Sequence, residues 1–347
     1  MNRDLDRLVL LPQWERAIAF EETADRLNTL PSYIEKDYWV CLVLDFLFNR
    51  LPRGHPKMWF KGGTSLSKAF GLVNRFSEDV DIVVSREDLG FAGESDPTGQ
   101  VSLSNRRRKA LFSELKRACS AYVHGDLRSV LTGLVADVLD GCDVVPDPYD
   151  QDALSLLVRY PTMYPVSLAA YVEPWVKIEA GARSAVEPSE LCTVTPLVAE
   201  DLPNWSLHVD KIRTVAPQRT VWDKILVLHG LYCGFRDQKR LPTSADRISR
   251  HYYDVAMVLQ TDLGQSTLTA VDLLQDVRNH SLIAFRTAWK RIEEAVPGSI
   301  RLVPQQELQY VLEQDYRDMQ HMVFGSRPEF DWIMQQLSQA EAAIHRM

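Results

Sequence analysis

The chain has 347 residues, of which 46% are hydrophobic and 25% are charged, a balance typical of globular proteins with a substantial core. The formal net charge of -8 at pH 7 argues against nonspecific binding of nucleic acid over the whole surface but permits a local basic patch. No window approaches the roughly 18 apolar residues of a transmembrane helix, and the N-terminus lacks a signal-peptide pattern. We therefore expect a cytoplasmic protein.

The N-terminal part of the chain is predicted to be helical from Leu5 to Arg50, because apolar residues recur at helical spacing between Ile34 and Phe48. A short strand is expected at 58–60. A short helix follows the Gly-Gly turn at 65–73, and a second strand runs from Asp79 to Ser85.

The middle of the chain combines loops, helices and strands. Gly, Ser, Asp and Pro predict loops at 90–104 and 141–151, and a long helical stretch lies between them at 106–139, with a break near Gly125. Two further strands are expected, at Leu154–Tyr160 and Tyr171–Arg183, joined by a proline-containing turn.

After Val186 the strand signals fade, and the later segments favour amphipathic helices. The predicted helices lie at 220–232, 251–260 and 330–347. The order of elements predicts an α+β core within 1–185, followed by a mainly helical region within 186–347.

The five cysteines and eight histidines are scattered, without the spacing of a zinc site or of a disulfide framework. A metal site built on cysteine or histidine is therefore not expected.

Two aspartates one residue apart begin the second predicted strand, in SEDVDIVV. Because successive side chains of a strand point to opposite faces, Asp79 and Asp81 share one face, while Val80 and Ile82 pack on the other. Two carboxylates this close repel each other unless a cation lies between them. Mg²⁺ prefers carboxylate oxygens and brings phosphates as further ligands. The pattern predicts a divalent metal that carries a nucleotide.

The segment before this strand suits phosphate groups. Gly62 and Gly63 allow the backbone to approach a ligand closely, and the following helix offers unpaired N–H groups. Thr64 and Ser65 add hydroxyl donors, and Lys61 adds positive charge. Alone, each motif has a simpler interpretation: a turn with a helix N-cap, or an acidic pair on an exposed edge strand. Their joint spacing favours a nucleotide site.

The later strand in WVKIEAGAR supplies two further charged side chains. By the same alternation, Lys177 and Glu179 share a face. Glu179 is a candidate third carboxylate of a two-metal site, and Lys177 is a candidate phosphate contact. The alternative is a cross-strand salt bridge on a solvated face.

These motifs resemble the nucleotidyltransferase toxins of the AbiEii/MenT type, which are distant relatives of the polymerase-β-like nucleotidyltransferases. The specific match is KGGTSLSK followed by FSEDVDIVV; IEKDYWVCLVL, VKIEAGAR, TVWDKILVLH and RHYYDVAMVL resemble further family segments in the same order. The resemblance spans residues 34–259. It implies a nucleotidyltransferase core, with a small mixed sheet flanked by helices, and a helical C-terminal region.

The resemblance also implies an activity and partners. The activity would be transfer of a nucleoside monophosphate from an NTP, dependent on Mg²⁺ or Mn²⁺, with release of pyrophosphate. The implied acceptor is RNA, at the 3′ end of tRNA, and the implied setting is a toxin–antitoxin or phage-defence system with a cognate antitoxin.

Individual roles follow from the same resemblance. Asp79 and Asp81 would hold the metal, and Lys177 would bind the nucleotide. Asp223 would complete the site from the helical half. Ser77 lies where some relatives are modified by an antitoxin kinase. The implied triphosphate contacts are Lys61, Thr64 and Ser65. For Asp223, the alternative is a helix-surface acid beside Lys224.

Two basic segments are candidate contacts to RNA or nucleotide. The denser one, in NRRRKALFSELKR, would bind RNA phosphates in a salt-dependent way; the alternative is a solvated helix face. Its first basic residues are Arg106, Arg107, Arg108 and Lys109. In the second segment, DQKRLPTSADRISRHYYD, Arg250 is a candidate contact to a triphosphate; the alternative, equally favoured, is an ion pair with Asp254 at i+4.

The predicted mechanism is in-line attack of a terminal hydroxyl on the α-phosphate of the NTP. Either Asp79 or Asp81 would help to deprotonate that hydroxyl, and Lys177 would neutralise the developing charge. The same residues permit two other functions: nucleotidylation of a protein acceptor, and nucleotide binding without catalysis.

Overall fold

The computed structural model describes residues 3–99, 103–164, 173–239, 242 and 247–347. Its internal contacts divide the chain into two compact units. The first comprises Met1–Phe70 and Phe76–Val215, and the second comprises Gly71–Arg75 and Ala216–Met347. Within the described ranges, no helix has both the length and the apolar character needed to cross a bilayer.

The first unit is built around a helix that is buried on nearly every side. Pro31 opens this helix, where its fixed φ suits the first turn, and all residues from Tyr33 to Asp45 are buried. It therefore shows no amphipathic stripe, as expected for a helix inside a core. The helices described in this unit are α1 (Arg3–Leu10), α2 (Gln13–Leu27), α3 (Pro31–Asp45), α4 (Gly62–Lys68), α5 (Asn105–Tyr122) and α6 (Arg128–Ala136).

A mixed seven-stranded sheet forms the rest of this unit, in the order β3-β4-β5-β2-β1-β7-β6. The strands are β1 (Met58–Lys61), β2 (Asp79–Val84), β3 (Asp143–Pro146), β4 (Ser155–Arg159), β5 (Trp175–Gly181), β6 (Ser189–Val194) and β7 (Val209–Val215). β2 runs parallel to β5, and β1 runs parallel to β7; the other neighbouring pairs are antiparallel.

The middle of the sheet is apolar on one face and charged on the other. Val80 and Ile82 of β2 and Ile178 of β5 are completely buried, and α3 contacts β2, β5 and β7. Asp79 and Asp81 alternate with these residues and are only half-buried. The face of the sheet opposite the apolar one therefore carries the polar side chains of the centre strands.

The second unit is helical in its described part. Its helices are α7 (Pro217–Gln238), α8 (Ser249–Val258), α9 (Asp262–Leu268), α10 (Val271–Ala284), α11 (Gln306–Asp318) and α12 (Phe330–Ile344). Arg75 is 2% exposed and donates to Asp254 over 2.6 Å, so the short segment at 71–75 is bound to α8 by a buried ion pair.

The α+β fold expected from the sequence is confirmed, including the helical N-terminus and the strand that starts at Asp79. The helix after the Gly-Gly turn begins at Gly62 itself, three residues before its predicted start. The break predicted near Gly125 is a π-helical turn at Val123–Leu127 that joins α5 and α6. Part of the predicted turn and strand around Tyr171 lies outside the described residues.

Two expectations about strands were wrong. β3 lies inside the predicted loop at 141–151, and β6 and β7 lie after Val186, where no strand was expected. β3 and β6 are the edge strands of the sheet, and edge strands carry exposed polar residues that weaken the alternating pattern. β7 carries Asp210, Lys211 and Arg213, and Lys211 has a positive φ of 60° that disturbs its register. The domain boundary predicted at 185/186 falls between β5 and β6.

Candidate active site

The two aspartates of β2 lie at the centre of the charged face. β2 pairs with β5 in a parallel register that places Asp79 beside Lys177 and Asp81 beside Glu179. On the other side of β2, Asp81 pairs with Lys61 of β1. Since residues paired across a sheet point to the same face, these five side chains form one polar surface. The structure thus brings together the charged residues that the sequence assigned separately to β1, β2 and β5.

The turn before α4 packs directly against one of these carboxylates. Gly62 has a φ of 86°, a conformation that favours glycine, and a Cβ built on it would collide with Oδ2 of Asp81. The backbone at the start of α4 and the Asp81 carboxylate therefore lie in contact, and only glycine permits this approach. Gly63 follows in the same turn and is half-buried.

The hydroxyl groups predicted to bind phosphate are engaged within the protein. Thr64 is 1% exposed, and its hydroxyl lies 2.7 Å from the Ser77 hydroxyl and 2.5 Å from the carbonyl oxygen of Asp79. Ser65 is completely buried and donates to the carbonyl of Gly62 over 2.9 Å. In this arrangement both hydroxyls fix the shape of the turn and the start of β2. Their contact with a phosphate stays a prediction.

Charged residues of α3 support both ends of this arrangement, which the sequence analysis did not foresee. Lys36 is 2% exposed, and its ammonium lies 2.6 Å from the carboxylate of Glu78, the residue just before Asp79. Asp37 accepts from Lys68, the last residue of α4, over 2.8 Å. The signal for these contacts is three consecutive charged residues, at 35–37, inside an otherwise apolar helix.

Lys177 is held between two carboxylates. Its ammonium lies 2.7 Å from Glu179 and 3.1 Å from Asp147, which precedes β4. Burial alone lowers the pKa of Lys177, but the hydrogen bonds and ion pairs with Glu179 and Asp147 outweigh it and raise the pKa above its ordinary value. The Lys177 side chain is therefore protonated at neutral pH. The sequence analysis gave a cross-strand salt bridge as the alternative role of these residues. A salt bridge is present, but it joins Lys177 and Glu179 within the same strand, β5. The sequence analysis missed Asp147, because nothing in its loop marks it.

Lys61 differs from Lys177 in its surroundings. It is half-buried beside Asp81, and among the described residues no carboxylate forms an ion pair with it. It is thus a cation on the charged face with capacity for an anionic ligand.

The residues predicted from the helical half lie in the second unit. Asp223 is exposed on α7, while the next residue, Lys224, is buried and lies 2.9 Å from Asp254. Arg250 on α8 is half-buried. Asp254, the alternative partner considered for Arg250, forms ion pairs with two other cations, Arg75 and Lys224.

Buried charge in this second unit changes the protonation of its neighbours. Burial, together with the cations Lys224 and Arg250, lowers the pKa of His251 well below its ordinary value, so the imidazole is neutral at pH 7. Burial penalises the charged form of the Asp254 carboxyl, yet Arg75 and Lys224 hold its pKa well below the usual range.

The basic run predicted for RNA lies at the start of α5. Arg106, Arg107 and Lys109 are exposed, whereas Arg108 is half-buried and donates to the carbonyl of Pro97 over 2.6 Å. Three of the four side chains are therefore accessible to a phosphate backbone, and Arg108 tethers the preceding loop.

The donor set of the site suits a magnesium ion that shares its ligands with a nucleotide. Asp79 and Asp81 supply carboxylate oxygens on one half-buried face, beside the close approach of Gly62. In the described part of the chain, no group of three or more His, Cys, Asp or Glu side chains is arranged to hold an ion. Mg²⁺ takes one or two carboxylates and completes its octahedron with phosphates and water, so two aspartates suffice. Glu179 as a third ligand stays a prediction.

An acidic pair lies on the central strand of a mixed sheet, and the Gly62 turn packs against one of its carboxylates, as expected for the nucleotidyltransferase class that the sequence motifs predict. A family model described as "Nucleotidyl transferase AbiEii toxin, Type IV TA system" matches residues 45–336, and the chain belongs to this family. It is a nucleotidyltransferase toxin of a type IV toxin–antitoxin system, and membership implies an NTP substrate and an antitoxin partner. The family predicted from the KGGTS and SEDVD motifs is thereby confirmed.

A search of curated proteins finds no match. Among solved structures, the chain resembles MenT4, a nucleotidyltransferase toxin from Mycobacterium tuberculosis H37Rv. The two share 16% sequence identity, with 95% of this chain and 97% of that chain covered and a TM-score of 0.45.

Proposed function

We propose that the protein transfers a nucleoside monophosphate from an NTP to the 3′ end of an RNA, with tRNA as the acceptor. The observation that carries this proposal is the packing of Gly62 against the Asp81 carboxylate. This packing brings the backbone of the glycine turn next to the Asp81 carboxylate, so a triphosphate bound to that backbone would lie beside a metal held by the carboxylate.

Asp79 and Asp81 would hold Mg²⁺. An ion held there would neutralise charge on the triphosphate and on the reacting oxygens. The protein supplies orientation: Thr64 fixes the backbone of Asp79, and Lys36 fixes Glu78 next to it. A carboxylate of this pair also accepts the proton of the attacking hydroxyl, which is general base catalysis at the start of β2.

Two lysines surround the place proposed for the phosphates. Lys61 contacts the β- and γ-phosphates together with the backbone of Gly62 and Gly63. Lys177 remains protonated through its ion pairs and neutralises charge that develops during transfer. Its partner Glu179 pairs with Asp81 in the strand register and is proposed as a further metal ligand once the Lys177 side chain turns to the nucleotide.

RNA is favoured over protein as acceptor by the exposed start of α5. Arg106, Arg107 and Lys109 carry three positive charges on a protein whose net charge is -8, so this patch concentrates attraction for a phosphate backbone. Arg108 supports the patch by holding its loop. Asp223 and Arg250 stay candidate contacts to the nucleotide on the strength of the family resemblance alone.

Ser77 is proposed as the point at which the antitoxin controls this activity. Ser77 lies two residues before Asp79, and its hydroxyl accepts a hydrogen bond from the hydroxyl of Thr64. A phosphoryl group added there would bring about two negative charges beside the carboxylates and break the Thr64 contact, and both effects oppose binding of a triphosphate. We further propose that the system acts in phage defence.

The test is incubation of the protein with each of the four α-³²P-labelled NTPs, total tRNA and Mg²⁺. We expect label on RNA with one or more NTPs, and none after chelation with EDTA or with Asp79→Asn. Parallel reactions with cell protein as acceptor decide the alternative: label on protein alone would replace RNA as the acceptor. NTP binding without pyrophosphate release in either reaction would contradict the proposed transfer.

A further inference from the structure

A cavity of about 390 Å³ lies in the first unit beside the charged face of the sheet. This is within the range of about 300–1,000 Å³ typical of small-molecule sites. Its walls come from β1, from the end of β2 with the following loop, and from the segment after β5. Its lining includes Trp59, Val83, Arg86, Glu87, Phe91 and Asp96.

The sheet register places this cavity next to the carboxylates. Trp59 pairs with Val83, and the next same-face pair along β1 and β2 is Lys61 with Asp81. Same-face neighbours on a strand are about 7 Å apart. Val83 also pairs with Gly181 of β5, where an added Cβ would meet no atom within 4 Å. The floor of the cavity therefore continues the charged face by one row, and the space above that row is open.

The charges around the cavity disfavour a phosphate as its occupant. The guanidinium of Arg86 is already engaged: it donates to the carbonyls of Ala182 and Ser184 over 3.2 and 3.0 Å, and lies 3.3 Å from Asp96. Glu87 adds a second carboxylate to the wall. An anion would meet two acidic side chains and a cation that is already paired, so an uncharged group is favoured.

The aromatic lining selects a planar group. Trp59 and Phe91 both border the cavity, and aromatic side chains bind unpaired bases by stacking. Trp59 is oriented by the guanidinium of Arg213, which lies 5.4 Å from the centre of a ring of the indole. Among the described residues, none accepts a hydrogen bond from the buried indole nitrogen of Trp59.

We propose that this cavity is a subsite for an unpaired nucleobase, stacked on Trp59 one row from Asp81. The proposal rests on the proposed function, because a base must lie near the carboxylates if a nucleotide or an RNA end reacts there. Two sources supply the same chemistry: the base of the incoming NTP, and the terminal base of the acceptor RNA.

Photo-crosslinking separates the two sources without relying on turnover. A photoreactive 4-thiouracil base is placed either in UTP or at the 3′ end of a short single-stranded RNA, and the full-length protein is irradiated with each. Crosslinked peptides are then identified by mass spectrometry. We expect one probe to attach to Trp59 or to the segment 83–93. Attachment elsewhere by both probes, or by neither at saturating concentration, would overturn the subsite.

A matched pair of variants tests the same cavity by binding. Ala92 is exposed and borders the cavity, so Ala92→Trp fills it from the surface with little risk to folding. Glu94→Trp, on the same loop but outside the lining, is the control.

We expect Ala92→Trp to weaken binding of one substrate by about tenfold or more, as for loss of one base stack, while Glu94→Trp changes binding by less than about twofold. A weaker dissociation constant for NTP assigns the incoming base, and a weaker one for RNA assigns the acceptor base. If both variants bind NTP and RNA like the wild type while transfer continues, the subsite is wrong and the proposed function stands. If the wild-type protein shows no transfer but the base of either probe crosslinks to the cavity, the proposed function fails and the subsite stands. Protection of the cavity by a protein, with no response to either nucleotide probe, would also contradict the subsite.

Discussion

The ammonium of Lys36 lies 2.6 Å from the carboxylate of Glu78, and both side chains are largely buried, with 3% and 13% exposed. This pair connects α3 to the residue that precedes Asp79. Asp37, next to Lys36, holds Lys68 at the end of α4 in the same manner. Adjacent residues of one helix therefore fix both segments that form the site.

Removal of Lys36 should destabilise the protein strongly. Lys36→Met removes the ammonium that lies 2.6 Å from the largely buried Glu78 carboxylate, and loss of one member of a buried ion pair costs about 3–5 kcal/mol in the free energy of unfolding. Denaturant unfolding measures this loss. The double variant Lys36→Met/Glu78→Met should recover most of it, because two apolar side chains of similar size replace the pair. A single variant as stable as the wild type would show that the pair does not anchor β2.

Gly62 offers a prediction with a close control. Gly62→Ala combines the penalty of a positive φ with a collision against Asp81, so we expect both lower stability and loss of transfer activity. Gly90 has nearly the same φ, 89° against 86°, and an added Cβ there meets nothing within 4 Å. Gly90→Ala should therefore lose about 1 kcal/mol of stability and keep its activity. Equal activity in the two variants would contradict a role for the close approach.

The central strand of the site could be predicted from the sequence because its information is local. Alternation in DVDIVV determines which side chains are buried, and β2 follows it, with Val80 and Ile82 inside and Asp79 and Asp81 on the other face. The positive φ of Gly62 likewise agrees with the glycine in the motif.

The rest of the site depends on contacts between distant residues. Lys36 and Glu78 are 42 residues apart, and Asp147 reaches Lys177 from another strand connection, so no local pattern reports either contact. Burial of Thr64 and Ser65 is also tertiary: in sequence a hydroxyl after Gly-Gly suits phosphate binding and internal hydrogen bonding equally well. β3 and β6 were not predicted because they are the edge strands of the sheet, and the outer side of an edge strand needs no apolar partner.

Loss of either β2 carboxylate should abolish transfer without unfolding the protein. Asp79→Asn or Asp81→Asn removes a ligand for the metal, and metal stabilisation is worth several kcal/mol, so we expect a rate reduction of at least about a thousandfold. Without metal, the free energy of unfolding should stay constant or rise, because repulsion between the carboxylates is relieved. Labelled-NTP transfer and denaturant unfolding measure the two effects. Asp126→Asn, an exposed aspartate after α5, serves as the control. Activity within tenfold of the wild type in both β2 variants would rule out this metal site.

The ion pairs of Lys177 predict a specific pH dependence of stability. Its pKa in the folded protein is raised above the unfolded value of about 10.4, so its stabilising contribution is complete below that value. The contribution is lost as pH rises through the folded pKa. The difference in unfolding free energy between wild type and Lys177→Met should therefore be constant from about pH 7 to about pH 10 and narrow above that range. A difference that already shrinks near pH 8 would mean that Glu179 and Asp147 do not raise the pKa.

The basic start of α5 should determine how RNA binding responds to salt. Each phosphate contact contributes about 0.7 to the slope of log K against log salt for a single strand. The triple variant Arg106→Ala/Arg107→Ala/Lys109→Ala should therefore reduce the slope by about 2, because three exposed cations are removed. Fluorescence anisotropy with a labelled RNA between about 50 and 200 mM salt measures it. The control is the double variant Arg53→Ala/Lys57→Ala, which removes two exposed cations from the segment just before β1. It should leave the slope within about 0.3 of the wild-type value. Equal slopes for the triple variant and the wild type would show that the start of α5 is a solvated helix face, and the acceptor would then be sought among proteins.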